Sequence, residues 1–132
     1  MTLFDYKIKE SKINGLGLFT NEEIKKGTVM FKASPDLDIE LTKEQFDGLS
    51  NEEQKEFIHY GYLDKKSGIY KLDFDTALRF LNFDKDGNIY QDETHTETYL
   101  IAKRDIGIGE EITFDYLEVM NDKFFDLEFG NN

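Results

Sequence analysis

The stretch RFLNFDKDGNIYQDE, residues 79–93, supports two incompatible folds, and its neighbours decide between them. Counted from Asn82 as position 1, it sets Asp84, Asp86 and Asn88 at alternate positions, Gly87 at the sharp turn and Glu93 at the twelfth, the order of ligands in a calcium loop of the EF-hand type. Such a loop needs a helix on each side. The residues that follow, THTETYLIAKRDIGIG, are rich in β-branched and aromatic side chains and favour a strand. Asn82 also stands where a carboxylate is wanted, and the chain holds no second loop to pair with the first. A surface hairpin around Asp86-Gly87 is the structural alternative to calcium binding.

Outward from this stretch, the pattern is mainly β. LFDYKIK and TVMFKA, at residues 3–9 and 28–33, read as short strands separated by the glycine turns NGLG and KKG. IYKLDF, NIYQ, HTETYLIAKR and EITFDY read the same way, the last two joined by the tight turn IGIGEE. Between them the period changes. Thr42 with Gln45, and Ser50 with Glu53, are capping boxes that open two short helices, the second stopping near Gly61. Their apolar positions are few, so a helical insert at about residues 42–61, laid on the edge of a sheet, is expected.

Composition bounds the function. The 132 residues suit one domain, and 12 Phe and 7 Tyr with a single Pro indicate a folded chain. No run is apolar enough to span a bilayer and the N-terminus lacks the apolar core of a signal peptide, so a cytoplasmic address is the expectation, with a nuclear one open. The absence of cysteine excludes thiolate zinc sites and cysteine nucleophiles, and no metal is expected. A formal charge of −12 repels a phosphate backbone, so nucleic acid is not expected as a direct partner; the acidity either only keeps the chain soluble or steers a basic protein or peptide to it.

Three segments in order then resemble one family. ESKINGLGLFTNEEIKKGTVM, residues 10–30, resembles the opening of SET domains, in which a small polar residue, a Gly-x-Gly-Leu-Phe turn and an Ile-x-x-Gly follow one another. LDFDTALRFLN, residues 72–82, resembles the entry to the family's Arg-Phe-x-Asn-His-Ser motif, and AKRDIGIGEEITFDY, residues 102–116, its closing turn and strand. The resemblance implies a fold of small curled sheets with a threaded C-terminal segment, and an S-adenosylmethionine-dependent protein-lysine methyltransferase. In that light residues 79–88 form a cofactor loop that meets the last strand.

Roles follow by position. Asn14, Gly15, Leu16 and Gly17 would approach the cofactor through their backbone, Asn82 would fix it, and Phe83 would add stacking area under its adenine. Arg79 and Phe80 would brace the loop. Tyr116 matches the catalytic tyrosine, and Phe114, two residues earlier, would share its strand face and line a lysine channel with Phe124 and Phe125 from the aromatic tail, about residues 117–132. The family's cysteine cluster after the domain is missing here, which leaves Phe124, Phe125 and Phe129 to close that channel or to serve as a dimer contact. Where the family has Asn-His-Ser and then Pro-Asn, this chain reads Asn82-Phe83-Asp84 and Gly87-Asn88. That departure keeps a second function open, a SET-like module that binds a peptide or ligand without turnover.

Overall fold

In the computed structural model, residues 1–92 and 99–118 are described. The strands are β1 (Tyr6–Glu10), β2 (Leu16–Thr20), β3 (Val29–Lys32), β4 (Ile39–Leu41), β5 (Tyr62–Leu63), β6 (Tyr70–Leu72), β7 (Asn82–Phe83), β8 (Ile89–Asp92), β9 (Tyr99–Ala102) and β10 (Glu111–Phe114). Two helices, α1 (Lys43–Asp47) and α2 (Asn51–Tyr60), lie between β4 and β5. They belong to two compact units, one of Met1–Ala33 with Asp75–Asp115, the other of Ser34–Phe74 with the segment that starts at Tyr116.

In the first unit the described strands run in the order β1-β2-β10-β8-β9-β3, with β7 also paired to β10. The strand latest in sequence therefore lies inside the sheet. Its composition explains why: Ile112, Thr113 and Phe114 are consecutive buried residues, as are Leu18, Phe19 and Thr20 of β2, so neither strand has a face to give to solvent. Leu18, Met30, Ile89, Ile106 and Ile112 are fully buried, and removing each from water contributes about 1.5 to 3 kcal/mol. Leading into β7, Thr76–Phe80 forms a 3-10 turn, whose N-cap Asp75 accepts from the Ala77 amide at 2.9 Å.

The second unit carries its own three-stranded antiparallel sheet, β4-β6-β5. Both capping boxes form as read from the sequence: Thr42 and Gln45 satisfy each other's backbone amides at the start of α1, and Ser50 and Glu53 do so for α2. Each helix buries one residue, Phe46 or Phe57. Phe46 stacks on Tyr70 of β6 at 4.0 Å between centroids, and Phe57 meets Phe46 edge-on at 5.7 Å. The helices thus pack through an aromatic cluster onto this three-stranded sheet. Burial raises the Tyr62 phenol well above its ordinary range, and the carboxylates of Asp73, Asp64, Asp38 and Glu40 push in the same direction. No described helix is long and apolar enough to cross a membrane.

Candidate functional site

The site is built along β10. On one side β2 pairs with it antiparallel, Ile112 opposite Leu18 and Glu111 opposite Phe19. Two short strands also run parallel to it, one on each side: Thr113 and Phe114 face Asn82 and Phe83 of β7, and Phe114 faces Ile89 of β8 on the side away from β2. The loop between β7 and β8 is tied to β10 at its start and braced within itself. Asp84 donates its amide to the Phe114 carbonyl at 3.0 Å, and its side chain accepts from the Asp86 amide at 2.9 Å.

This geometry corrects both local expectations for residues 82–93. The strands around Asp86-Gly87 are not a hairpin, because both run parallel to β10. An EF-hand needs a helix leading into its loop, and here only the 3-10 turn Thr76–Phe80 stands there, while β7 and β8 occupy positions within the loop itself. The Asn88 carbonyl accepts from the Lys103 amide, and no described group of three or more Asp, Glu or His side chains could hold a metal ion. Gly87 has another reason to be glycine. A Cβ there would lie 2.7 Å from the Thr113 carbonyl oxygen and 2.8 Å from the Phe114 Cα, so only glycine lets the loop pass across the β10 backbone.

Asn88 fixes that crossing. It is 1% exposed; its Nδ2 donates to the Glu111 carbonyl at 2.8 Å and its Oδ1 accepts from the Thr113 amide at 3.0 Å, so one amide side chain completes the backbone bonding of two β10 residues.

Asn82 does the corresponding work for the N-terminal turn. Its Nδ2 lies 3.2 Å from the Asn14 carbonyl oxygen, 3.2 Å from that of Leu16 and 2.9 Å from Glu111 Oε2. Three oxygens around one atom fix the orientation of the amide, since Oδ1 in that place would meet only acceptors. Oδ1 therefore faces away from the clasp. The turn itself depends on Gly15 at φ 47°, and the Ser11 amide donates to the Gly15 carbonyl at 2.8 Å. Gly17 lies within β2 rather than in the turn, and is buried.

Of the residues singled out from the sequence, Asn14, Leu16 and Asn82 are joined directly, with Gly15 and Gly17 in the same segment and Phe83 adjoining, half-buried, in β7. Phe114 is 3% exposed at the end of β10. Tyr116 opens a separate 3-10 turn, Tyr116–Glu118, and is half-buried, so the period-two argument for a shared strand face does not hold. Phe124, Phe125, Phe129 and Glu93 lie outside the described residues. Ser11 and Glu111 carry no role in the sequence reading and Asn88 only that of a calcium-loop position, although all three stand in the stretches that hold the family resemblance or the calcium-like spacing.

Comparison with known proteins agrees with this architecture. A search of curated proteins returned no match. Among solved structures, a "putative histone methyltransferase" of Plasmodium falciparum superposes with a TM-score of 0.59 at 18% identity, over 86% of this chain and 94% of that one. A chain of an apo ctPRC2 structure with two substitutions in Ezh2 superposes with a TM-score of 0.66 at 21% identity, over 90% of this chain and 16% of that one. At these identities the likeness is one of fold. The SET domain model matches residues 15–117, from the positive-φ glycine of the N-terminal turn to the residue after Tyr116. That span holds Asn82 with its Leu16 and Glu111 partners, the β7-β8 crossing and the buried β10, and the chain belongs to the SET domain family.

Proposed function

We propose that the protein transfers a methyl group from S-adenosylmethionine to the side-chain nitrogen of a lysine in a basic protein or peptide. The observation that supports this most is the clasp around Asn82, which joins the Asn14 and Leu16 carbonyls to β10 inside a chain of the SET family. The group fits the residues present. The clasp offers oxygens (the carbonyls of Asn14 and Leu16, the Glu111 carboxylate and the outward Asn82 Oδ1), and Glu111 forms no salt bridge among the described residues. A ligand that carries an ammonium and a sulfonium suits such a set. Phe83 follows Asn82 in β7 and would supply an aromatic face for the adenine.

When bound, the cofactor supplies an electrophilic methyl, and the protein's task is to hold a neutral amine in line with it. Lysine is mostly charged at neutral pH, with an ordinary pKa of about 10.4, and an apolar aromatic setting disfavours that charge. In this reading Phe114 and Tyr116 provide that setting and the Tyr116 hydroxyl orients the amine. The surplus of 28 acidic over 16 basic residues steers a basic substrate towards the protein.

Calorimetry with S-adenosylmethionine and mass spectrometry of basic peptides test the proposal together. Asn82→Ala should weaken the cofactor by about 1 to 3 kcal/mol, while Tyr116→Phe should retain it and lose turnover. Transfer should slow as salt rises, because steering is screened. Phe114 lacks a hydroxyl that would bind the amine or a water and crowd a methylated nitrogen, so the product should pass beyond monomethyl-lysine. A folded chain that binds no cofactor at millimolar concentration refutes the reading. Binding without transfer to any basic substrate favours the non-catalytic module, which the replacement of His-Ser by Phe83-Asp84 keeps in play.

A further inference from the structure

We propose that Glu111 is the positioning residue of the cofactor site: its carboxylate sets the orientation of the Asn82 amide and occupies the space that a side chain at position 17 would need. The inference rests on the cofactor reading above and adds to it a residue and a reason for Gly17.

Glu111 is anchored at its backbone from two directions. It pairs with Phe19 of β2, and its carbonyl accepts from Asn88 Nδ2 at 2.8 Å. Its side chain is anchored as well. Ser11 Oγ lies 2.8 Å from Oε1 and 2.9 Å from Oε2, and itself accepts from the Ile13 amide at 3.0 Å, which leaves its single proton for the carboxylate. Held in this way, Oε2 takes the Asn82 Nδ2 at 2.9 Å and so turns Asn82 Oδ1 outward. A Cβ built on Gly17 would come within 2.5 Å of the same Oε2, 2.9 Å of the Glu111 Cδ and 3.0 Å of the Ser11 Cβ. Gly17 has no positive φ, so backbone conformation does not demand glycine there. The carboxylate does. Any side chain at 17 must displace Glu111, and with it the partner that orients Asn82.

A double-mutant cycle of Gly17→Ala and Glu111→Ala decides the matter. Calorimetry should show each single variant binding S-adenosylmethionine about tenfold more weakly, the loss expected for a misplaced charge-assisted hydrogen bond. In the Glu111→Ala background, Gly17→Ala should add less than about threefold, because the carboxylate it would strike is gone. Glu111→Gln should fall between, since its one acceptor oxygen carries no charge and its amide nitrogen replaces the second oxygen beside Ser11. The Michaelis constant for the peptide should stay unchanged, which a general loosening of the fold would not permit. The same cycle is read in the ligand-free protein by urea unfolding and by hydrogen exchange of the Asn82 side-chain amide, which should quicken in Glu111→Ala. Additive losses in either cycle, or wild-type affinity in Glu111→Ala, overturn the proposal. A wild-type chain that binds no cofactor while the ligand-free cycle is non-additive overturns the cofactor reading and leaves the Glu111 contacts established.

Discussion

Replacing Asn88 with Ala should be among the most damaging single changes in the first unit. The side chain is 1% exposed and completes the hydrogen bonding of the Glu111 carbonyl, at 2.8 Å, and the Thr113 amide, at 3.0 Å. Truncation leaves both backbone groups buried without a partner, each at about 1 to 3 kcal/mol, and opens a small void beside β10. The expected loss is about 3 to 5 kcal/mol, a large share of the roughly 5 to 15 kcal/mol that holds a domain together. In urea, with a slope of about 1 to 3 kcal/mol/M, the midpoint should fall by roughly 2 M. Asn88→Asp separates the hydrogen bond from the void. It keeps the acceptor for Thr113 but turns a second oxygen on the Glu111 carbonyl and on Glu110 Oε2, which lies 3.2 Å from Asn88 Nδ2. The introduced carboxyl is then driven above its unfolded pKa, so its destabilisation is absent at low pH, where it is protonated in both states, and grows as pH rises through about 4. If Asn88→Ala unfolds within about 1 kcal/mol of the wild type, or Asn88→Asp shows no relative recovery in acid, then the Asn88 amide is not what holds β10 in place.

Two further changes test other parts of the fold. Gly87→Ala forces a Cβ to within 2.7 Å of the Thr113 carbonyl oxygen and should cost about 1 to 3 kcal/mol, read as a lower melting temperature with weakened cofactor binding; an unchanged melting temperature refutes the close crossing. Tyr62→Phe should protect against alkali. With its folded pKa raised, Tyr62 adds stability below the ordinary phenol value of about 10 that is lost as pH climbs past it, so the alkaline unfolding midpoint of the Phe variant should be higher, and an unshifted midpoint counts against burial of that hydroxyl.

What the sequence discloses is whatever a few adjacent residues can decide. Both capping boxes are legible because Thr42 with Gln45 and Ser50 with Glu53 satisfy backbone groups within one turn. β4, β5 and β7 do not stand out as strands, because two or three residues cannot display a period of two. The EITFDY pattern runs through Tyr116 and so suggests a strand face for it, yet β10 stops at Phe114. Glu111 is silent for a different reason. Its partners Ser11 and Asn82 lie 100 and 29 positions away, and no local pattern carries that information.

The glycines show where reading a motif stops and physical argument begins. The family resemblance assigns Gly15 and Gly17 one shared purpose, a backbone that a cofactor can approach, and the calcium pattern assigns Gly87 a sharp turn. The structure gives three separate causes. Gly15 is required by its φ of 47° and has open space around its Cα, so a side chain there is strained without striking anything. Gly17 sits in a regular strand and is required by a carboxylate, whereas Gly87 is required by the β10 backbone. A carboxylate can be removed by a second substitution and a crossing backbone cannot. Only at position 17, then, can a compensating change restore tolerance for a side chain, and that difference could not have been drawn from three letters G.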